Sequence, residues 1–286
     1  MKGIIWLASY PKSGNTWFRV FLTNLLRDAD TPASINELES TPIASARGVF
    51  DNNMGFEASD LTADEIDRLR PELYIHLAEN ATEQLFMKIH DAYTDVADNM
   101  SLIPHAATGG ALYFIRNPLD VAVSFAHHNG SDYDTSITRM ADKAFAFCGK
   151  PDRLHNQLRQ KLLSWSNHIL SWVDSAPFPV CLLRYEDMKS QPLETFTKAI
   201  RFAGLDYTRE QISKAIDFSL FDVVQQLEEA EGFREKNSAS SRFFRKGQIG
   251  SWREELNETQ AKRIVDDHRE VMRRFGYLDE NGKIIY

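Results

Sequence analysis

Short apolar runs rich in β-branched residues alternate along this chain with longer stretches whose apolar residues recur every three or four positions. That alternation predicts strands and helices in turn. Gly3-Ile4-Ile5-Trp6-Leu7-Ala8 reads as a buried strand, and Trp17, Val20, Phe21 and Leu25, flanked by Phe18 and Leu22, as a helix ending near Arg27-Asp28. The span from Asp30 to about Gly55 is weakly periodic and rich in turn formers, and is expected to be loop. Thr62 with Glu65 makes a capping box for a helix that Pro71 should stop. Leu85–His90 is a second strand, with Lys88 and His90 two apart and pointing to one side. Ala111–Arg116 is a third, turned by Asn117-Pro118 into a helix carrying Val121, Ala122 and Phe125 inward and Ser124 on another face. His127 to Pro151 reads as a flexible segment, with His127 and His128 as loop residues and lining of an acceptor pocket as their lesser alternative. Leu154, Leu158, Leu162, Trp165, Ile169 and Trp172 predict a long helix over Asp152–Asp174. A fourth strand with a polar end, Pro179–Asp187, precedes helices Pro192–Phe202, Arg209–Phe218, Val223–Glu231 and Glu258–Phe275.

Four strands alternating with helices, with polar groups at the strand carboxyl ends, predict an open α/β sheet with a ligand crevice at a topological switch. At 286 residues, without internal repeats or an evident linker, one domain over 1–286 is expected. The net charge of −8 argues against broad binding to nucleic acid or an anionic membrane. Two cysteines, Cys148 and Cys181, fit neither a disulfide framework nor metal-ligand spacing, and Cys181 reads as a core residue. No apolar run has the length of a membrane span and no signal pattern precedes the first strand, so a cytoplasmic protein is expected.

The chemistry concentrates after the first strand, in Ser9-Tyr10-Pro11-Lys12-Ser13-Gly14-Asn15-Thr16-Trp17. Strand, tight loop, then helix is the plan of an anion site: the first helical N–H groups lack partners, the dipole is positive there, and Gly14 lets the backbone close around a phosphate. Lys12 adds charge, and Ser13 and Thr16 add hydroxyls. It is not a Walker A loop, because the Lys precedes the Gly by two. Arg116 and Ser124 could grip a second anion from both sides, unless Arg116 is spent on an ion pair with Asp120. Gly232 to Ser251 carries Arg234, Lys236, Arg242, Arg245 and Lys246 in an otherwise acidic protein. Within it, Arg245-Lys246-Gly247 offers two cations and an N–H that a glycine lets approach an anion closely.

Taken together these stretches resemble the sulfotransferases that use 3′-phosphoadenosine-5′-phosphosulfate (PAPS), over residues 5 to 252. Tyr10–Trp17 looks like that family's 5′-phosphosulfate loop, Lys88-Ile89-His90 like its Lys-x-His strand, and Arg116-Asn117-Pro118-Leu119-Asp120 with Ser124 like its 3′-phosphate motif. Arg184–Asp187 and Ser219-Leu220-Phe221 match weaker segments. Arg245-Lys246-Gly247-Gln248-Ile249-Gly250-Ser251-Trp252 matches the loop over the 3′-phosphate, with Ser251 where an Asp is common. The resemblance implies a P-loop-like three-layer sandwich with a central, mostly parallel sheet flanked by helices. It implies His90 as general base, Lys12 on the 5′-phosphate and bridging oxygen, and Lys88 on the transferring group. The 3′-phosphate falls to Arg116, Ser124, Arg245, Lys246 and the Gly247 N–H. Ser13, Gly14, Asn15 and Thr16 belong to the 5′ loop, Trp17 and Phe221 to the adenine, and Tyr185 and Ser219 to its polar rim. No metal is expected, since the lysines supply the charge that Mg²⁺ supplies in a kinase. The product would be 3′-phosphoadenosine-5′-phosphate (PAP).

The acceptor implied is a hydroxyl, phenolic among the candidates, of a small molecule. Phe50, Phe56, Tyr93, Phe145 or Phe147 in its pocket would favour a flat or apolar substrate, and more charge a sugar or amino compound. The alternatives are a nucleotide kinase of the same broad fold and a catalytically silent nucleotide-binding module. The dimer contact of animal cytosolic members is missing after Trp252, which leaves the oligomeric state open.

Overall fold

The structure is a computed structural model and describes residues 3–97, 99–150 and 153–286. Its elements in chain order are β1 (Ile4–Ser9), α1 (Asn15–Arg27), α2 (Arg47–Met54), α3 (Ala63–Asn80), β2 (Phe86–Ile89), the short β3 (Asp95–Ala97) and β4 (Met100–Ser101), and β5 (Thr108–Ile115). There follow α4 (Pro118–Asn129), α5 (Tyr133–Ala141), the short β6 (Ala146–Phe147) and β7 (Gln160–Lys161), α6 (Trp165–Val173) and β8 (Val180–Arg184). The chain continues through α7 (Tyr185–Ser190), α8 (Pro192–Phe202), α9 (Arg209–Asp217), α10 (Phe221–Glu231), α11 (Trp252–Glu255) and α12 (Glu258–Arg274).

The expected α/β sandwich is present. Its sheet has the order β2-β1-β5-β8, every pair parallel. Strands buried on both faces need apolar residues at every position, which is why β1 reads Ile-Ile-Trp-Leu-Ala. The period of two sorts them: Ile4, Trp6 and Ala8 join the core under α3, α4, α6 and α12, while Ile5 and Leu7 join that under α1, α8 and α9. After β2 the chain crosses β1 to lay β5 on its other side. The strand order therefore reverses at β1, and a crevice opens at the carboxyl ends of β1 and β5. The outer edge of β2 is covered, since Lys88 N–H donates to the Pro42 carbonyl and Ala44 N–H to the Lys88 carbonyl.

Five local expectations are corrected. The fourth strand ends at Arg184, and its expected polar end, Tyr185–Asp187, is the first turn of α7. Residues 47–54 form α2 inside the expected loop, anchored by the fully buried Phe50. Helix α3 has the expected Thr62–Glu65 capping box but runs past Pro71 to Asn80. An interior proline costs about 3 kcal/mol. Beyond it the helix buries Leu73 and Tyr74, and Arg70 makes a buried bidentate pair with Asp91 (3.0 and 2.7 Å). The helix expected over Asp152–Asp174 is α6 alone, started by the Ser164 side chain accepting from the Asn167 N–H. Residues 160–161 instead pair antiparallel with 146–147, Leu154 is exposed, and Pro151 and Asp152 lie outside the described residues. The expected flexible stretch after His127 is ordered as the end of α4, α5 and β6, so His127 and His128 occupy the last turn of a helix.

Two buried histidines make stability depend on pH. Burial lowers His168 and His268 to about 4. The unfolded chain protonates both near 6.5 while the folded chain leaves them neutral, so stability is full above that pH and is lost as pH falls toward 4. The slope is at most about 1.4 kcal/mol per pH unit for each. We expect the melting temperature to fall between pH 7.5 and 5; an unchanged value would mean that neither imidazole is held neutral.

Candidate active site

Four strand ends deliver the chemistry to one cleft of about 680 Å³: Lys12 after β1, His90 after β2, Arg116 after β5 and Tyr185 after β8. The first loop closes through two left-handed residues, Lys12 (φ 71°) and Gly14 (φ 100°). Only the second is a glycine, and a Cβ there would come 2.8 Å from the Tyr185 ring. A non-glycine in that region stores strain, a frequent mark of a functional loop. Asn15 ties the start of α1 to the strand, its Nδ2 donating to the Leu7 carbonyl at 2.7 Å. No side chain caps α1, so its first N–H groups are left for a ligand. Lys12, Gly14, Asn15, Thr16 and Trp17 line the cleft; the Ser13 hydroxyl lies beneath it, buried and without a partner.

The cations here are incompletely neutralised. Lys12 Nζ sits 4.0 Å from the Phe243 ring centroid and has no ion pair among the described residues. Burial and the nearby Lys88 and Arg116 bring its pKa down to about 7. Arg116 does not pair with Asp120. It donates to the carbonyls of Lys12 (3.2 Å) and Gln248 (3.0 Å) and lies 4.2 Å from the Tyr185 ring centroid, and its Nε has no partner among the described residues. Asp120 instead accepts from the Gly250 and Trp252 N–H groups and from Ser251 Oγ, so its carboxylate orders the loop in which Ser251 departs from the common pattern.

His90 is held in one tautomer. Its Nδ1 lies 2.8 Å from the Ser9 carbonyl, an acceptor only, so Nδ1 carries the proton and Nε2 keeps its lone pair. Beneath it, His168 Nε2 donates to the His90 carbonyl (3.0 Å) and Trp172 Nε1 to that of Asp91 (3.0 Å). Burial, reinforced by the charge on Lys88, holds the His90 pKa well below its ordinary value.

The far loop closes over the cleft. Gly247 (φ 59°) packs against Phe221 so closely that a Cβ would fall 2.2 Å from the ring. Tyr185 donates to its carbonyl at 3.0 Å. Ser124 and Phe221 line the cleft; Ser219 does not, its hydroxyl being buried against Ile216 while its carbonyl accepts from Trp17 Nε1 at 2.7 Å. Arg245 and Lys246 line it too but are shared with Glu255, at 2.8 and 2.9 Å.

Two cleft residues, Glu235 and Phe243, escaped the sequence reading, and a third, His128, was its lesser alternative. Glu235 pairs with Lys88 (2.9 Å) and Arg19 (2.7 Å), which hold its carboxyl down to about 2. Its signal was present: it is the single acid among the cations of 232–251. Phe243 faces Lys12. His128, one helical turn beyond Ser124, also lines the cleft, where burial lowers it to about 3. Among the described residues no group of three or more His, Cys, Asp or Glu is placed to hold a metal ion, and no helix is long and apolar enough to cross a membrane.

Comparison with known proteins agrees with this geometry. The chain is 23% identical to cytosolic sulfotransferase 17 of Arabidopsis thaliana over 300 residues, 96% of this chain and 76% of that one. It is 28% identical to sulfotransferase 6B1 of Danio rerio over 264 residues, 90% and 74% of the two. Its fold is similar to that of a mouse sulfotransferase crystallised with PAP (TM-score 0.58, 19% identity, 96% of this chain and 86% of that one). It is similar also to that of a retinol dehydratase in complex with androsterone and PAP (TM-score 0.61, 20% identity, 97% and 83%). The model of the sulfotransferase domain matches residues 2–276. With the strand-end lysine and histidine, the uncapped helix and the glycine-closed basic loop, that match makes the chain a member of the sulfotransferase family.

Proposed function

We propose that the cleft binds PAPS and that the chain moves its sulfuryl group to a hydroxyl of a small-molecule acceptor, with His90 as base. The observation that carries this reading is Lys12, an ammonium set beside two other cations and an uncapped helix, with no ion pair among the described residues. A site left short of negative charge fits a ligand that brings it. The partnerless Arg116 Nε and the Gly247 backbone, which admits no side chain, support a second anion subsite. When bound, PAPS supplies an activated sulfuryl group toward β1 and β2 and a 3′-phosphate toward β5.

On this reading Lys12 and the first N–H groups of α1 hold the 5′ side, aided by Ser13, Asn15 and Thr16. Arg116, Ser124, Arg245, Lys246 and the Gly247 N–H hold the 3′-phosphate, with Glu255 yielding part of its hold on the two loop cations. Trp17, Phe221 and Tyr185 bound the adenine, with the Ser219 carbonyl behind the wall holding Trp17 Nε1. His90 Nε2 takes the acceptor proton, with Nδ1–H fixed on Ser9. Lys88 assists at the reacting centre, its ammonium steadied by Glu235. In-line transfer spreads charge over the moving group, so fixed cations and donors lower the barrier without reorganising. A cytoplasmic location belongs to the same reading.

Calorimetric titration with PAP, and separately with ATP and Mg²⁺, tests it. We expect metal-independent binding of PAP and much weaker binding of ATP. Preference for ATP with Mg²⁺ would mean that Arg116 and the 245–247 loop do not read a 3′-phosphate, and would favour the kinase.

A further inference from the structure

Beyond the nucleotide residues, the rest of the cleft wall comes from the end of α4, from the segment between β6 and β7, and from the loop before Arg245. Its side chains are mostly polar: the amides of Asn129, Asn156, Gln157, Gln160 and Asn237, the imidazoles of His128 and His155, and the guanidinium of Arg153. Two hydrogen-bonded links put this wall on the His90 side. The Ala92 N–H, two residues past His90, donates to the carbonyl of Lys161, next to Gln160. Ser45 Oγ donates to Gln157 Oε1, and the neighbouring Ala44 N–H donates to the Lys88 carbonyl. Gln160 Nε2 also donates to Gln157 Oε1 (2.8 Å), which fixes the two amides against each other.

Apolar chemistry on this side is limited to Phe147, Cys148, Leu154 and the adjacent Phe243 and Phe244. Of the five aromatic residues that would mark a flat acceptor, only Phe147 lines the cleft. Phe50 is fully buried, Tyr93 and Phe145 pack on the core, and Phe56 is exposed beside Phe50. Phe243 already faces the Lys12 ammonium. The carboxylates among the described lining residues are spoken for, Asp120 by the 250–252 loop and Glu235 by Arg19 and Lys88. An amine would find no free counter-ion among them. Amides and a neutral imidazole offer donors and acceptors in pairs, which is the complement of a ring bearing several hydroxyls, while Phe147 offers one face for its C–H groups.

We infer that the acceptor is a polyhydroxylated ring without an amine, a sugar or glycoside, with the transferred sulfuryl group going to one of its hydroxyls. This rests on the PAPS reading above. The step forms a bond from the acceptor oxygen to sulfur and breaks that from sulfur to the 5′-phosphate oxygen. The acceptor proton passes to His90, and PAP leaves with the bond's electron pair.

The test is a transfer assay with PAPS and two sets of acceptors, the neutral saccharides lactose and N,N′-diacetylchitobiose and the phenols 2-naphthol and 4-nitrophenol. PAP calorimetry is run alongside. We expect transfer to a saccharide with kcat/KM at least tenfold above either phenol. His128→Phe should raise the saccharide KM about tenfold, as loss of a polar partner does, with PAP affinity kept. Should His128→Phe misfold, Asn237→Leu reads the same wall. If PAP binds but no saccharide is sulfated, the inference is overturned and the donor reading stands, whatever the phenols do. If PAP fails to bind, the donor reading falls and the inference with it. An unchanged saccharide KM in both variants would also overturn the wall's assignment.

Discussion

His90→Ala should lower kcat by roughly 10² to 10⁴, the usual contribution of a positioned general base, while PAP binds within a few-fold of the wild-type affinity. The two halves follow from different geometry. Nδ1 is committed to the Ser9 carbonyl, so the lost function is the Nε2 lone pair, and no nucleotide subsite depends on it. Burial and Lys88 depress the imidazole pKa. The acid limb of kcat/KM in the free enzyme should therefore fall below the ordinary value of about 6.5. Lys88→Met, by removing a neighbouring positive charge, should move that limb up. Near-normal turnover in His90→Ala would remove the histidine from the mechanism and leave Lys88 or bulk water to take the proton.

Lys12→Met is expected to cost both binding and rate: weaker PAP affinity, and a kcat roughly 10²- to 10³-fold lower, the size of effect seen when one fixed donor to developing charge is removed. A signature separates this role from a structural one. With its pKa near 7 in the free protein, Lys12 is partly neutral at neutral pH. A phosphate beside it favours the charged form, so binding should take up a fraction of a proton. Calorimetry of PAP binding at pH 7 in buffers of differing ionisation enthalpy should show that uptake in the wild type and its loss in Lys12→Met. Equal uptake in both proteins would place the titrating group elsewhere. Unchanged kcat would limit Lys12 to ground-state binding.

The sequence by itself determined the sheet and the strand-end chemistry. β1 is legible because both its faces are buried, so every position before the terminal Ser9 is apolar. The helix after it follows from three- and four-residue spacing, and Lys12, His90 and Arg116 are legible because each stands where a buried strand ends. These are signals carried within about ten residues. What the tertiary structure alone decided are outcomes of competition over long separations. Pro71 argues locally for a helix end, yet α3 continues because Arg70 and Tyr74 gain buried partners on distant segments. Leu154 and Leu158 keep helical spacing, yet strand pairing with 146–147 and the Ser164 cap leave only α6. Arg116 had a near carboxylate in Asp120, but the backbone N–H groups of 250 and 252 claim it, and the guanidinium donates to the carbonyls of Lys12 and Gln248 instead. Glu235 lies 147 residues from Lys88, and no local pattern could pair them. A helix or strand is chosen by its own neighbours, whereas a buried charge takes whichever partner the closed fold brings within reach before water is excluded.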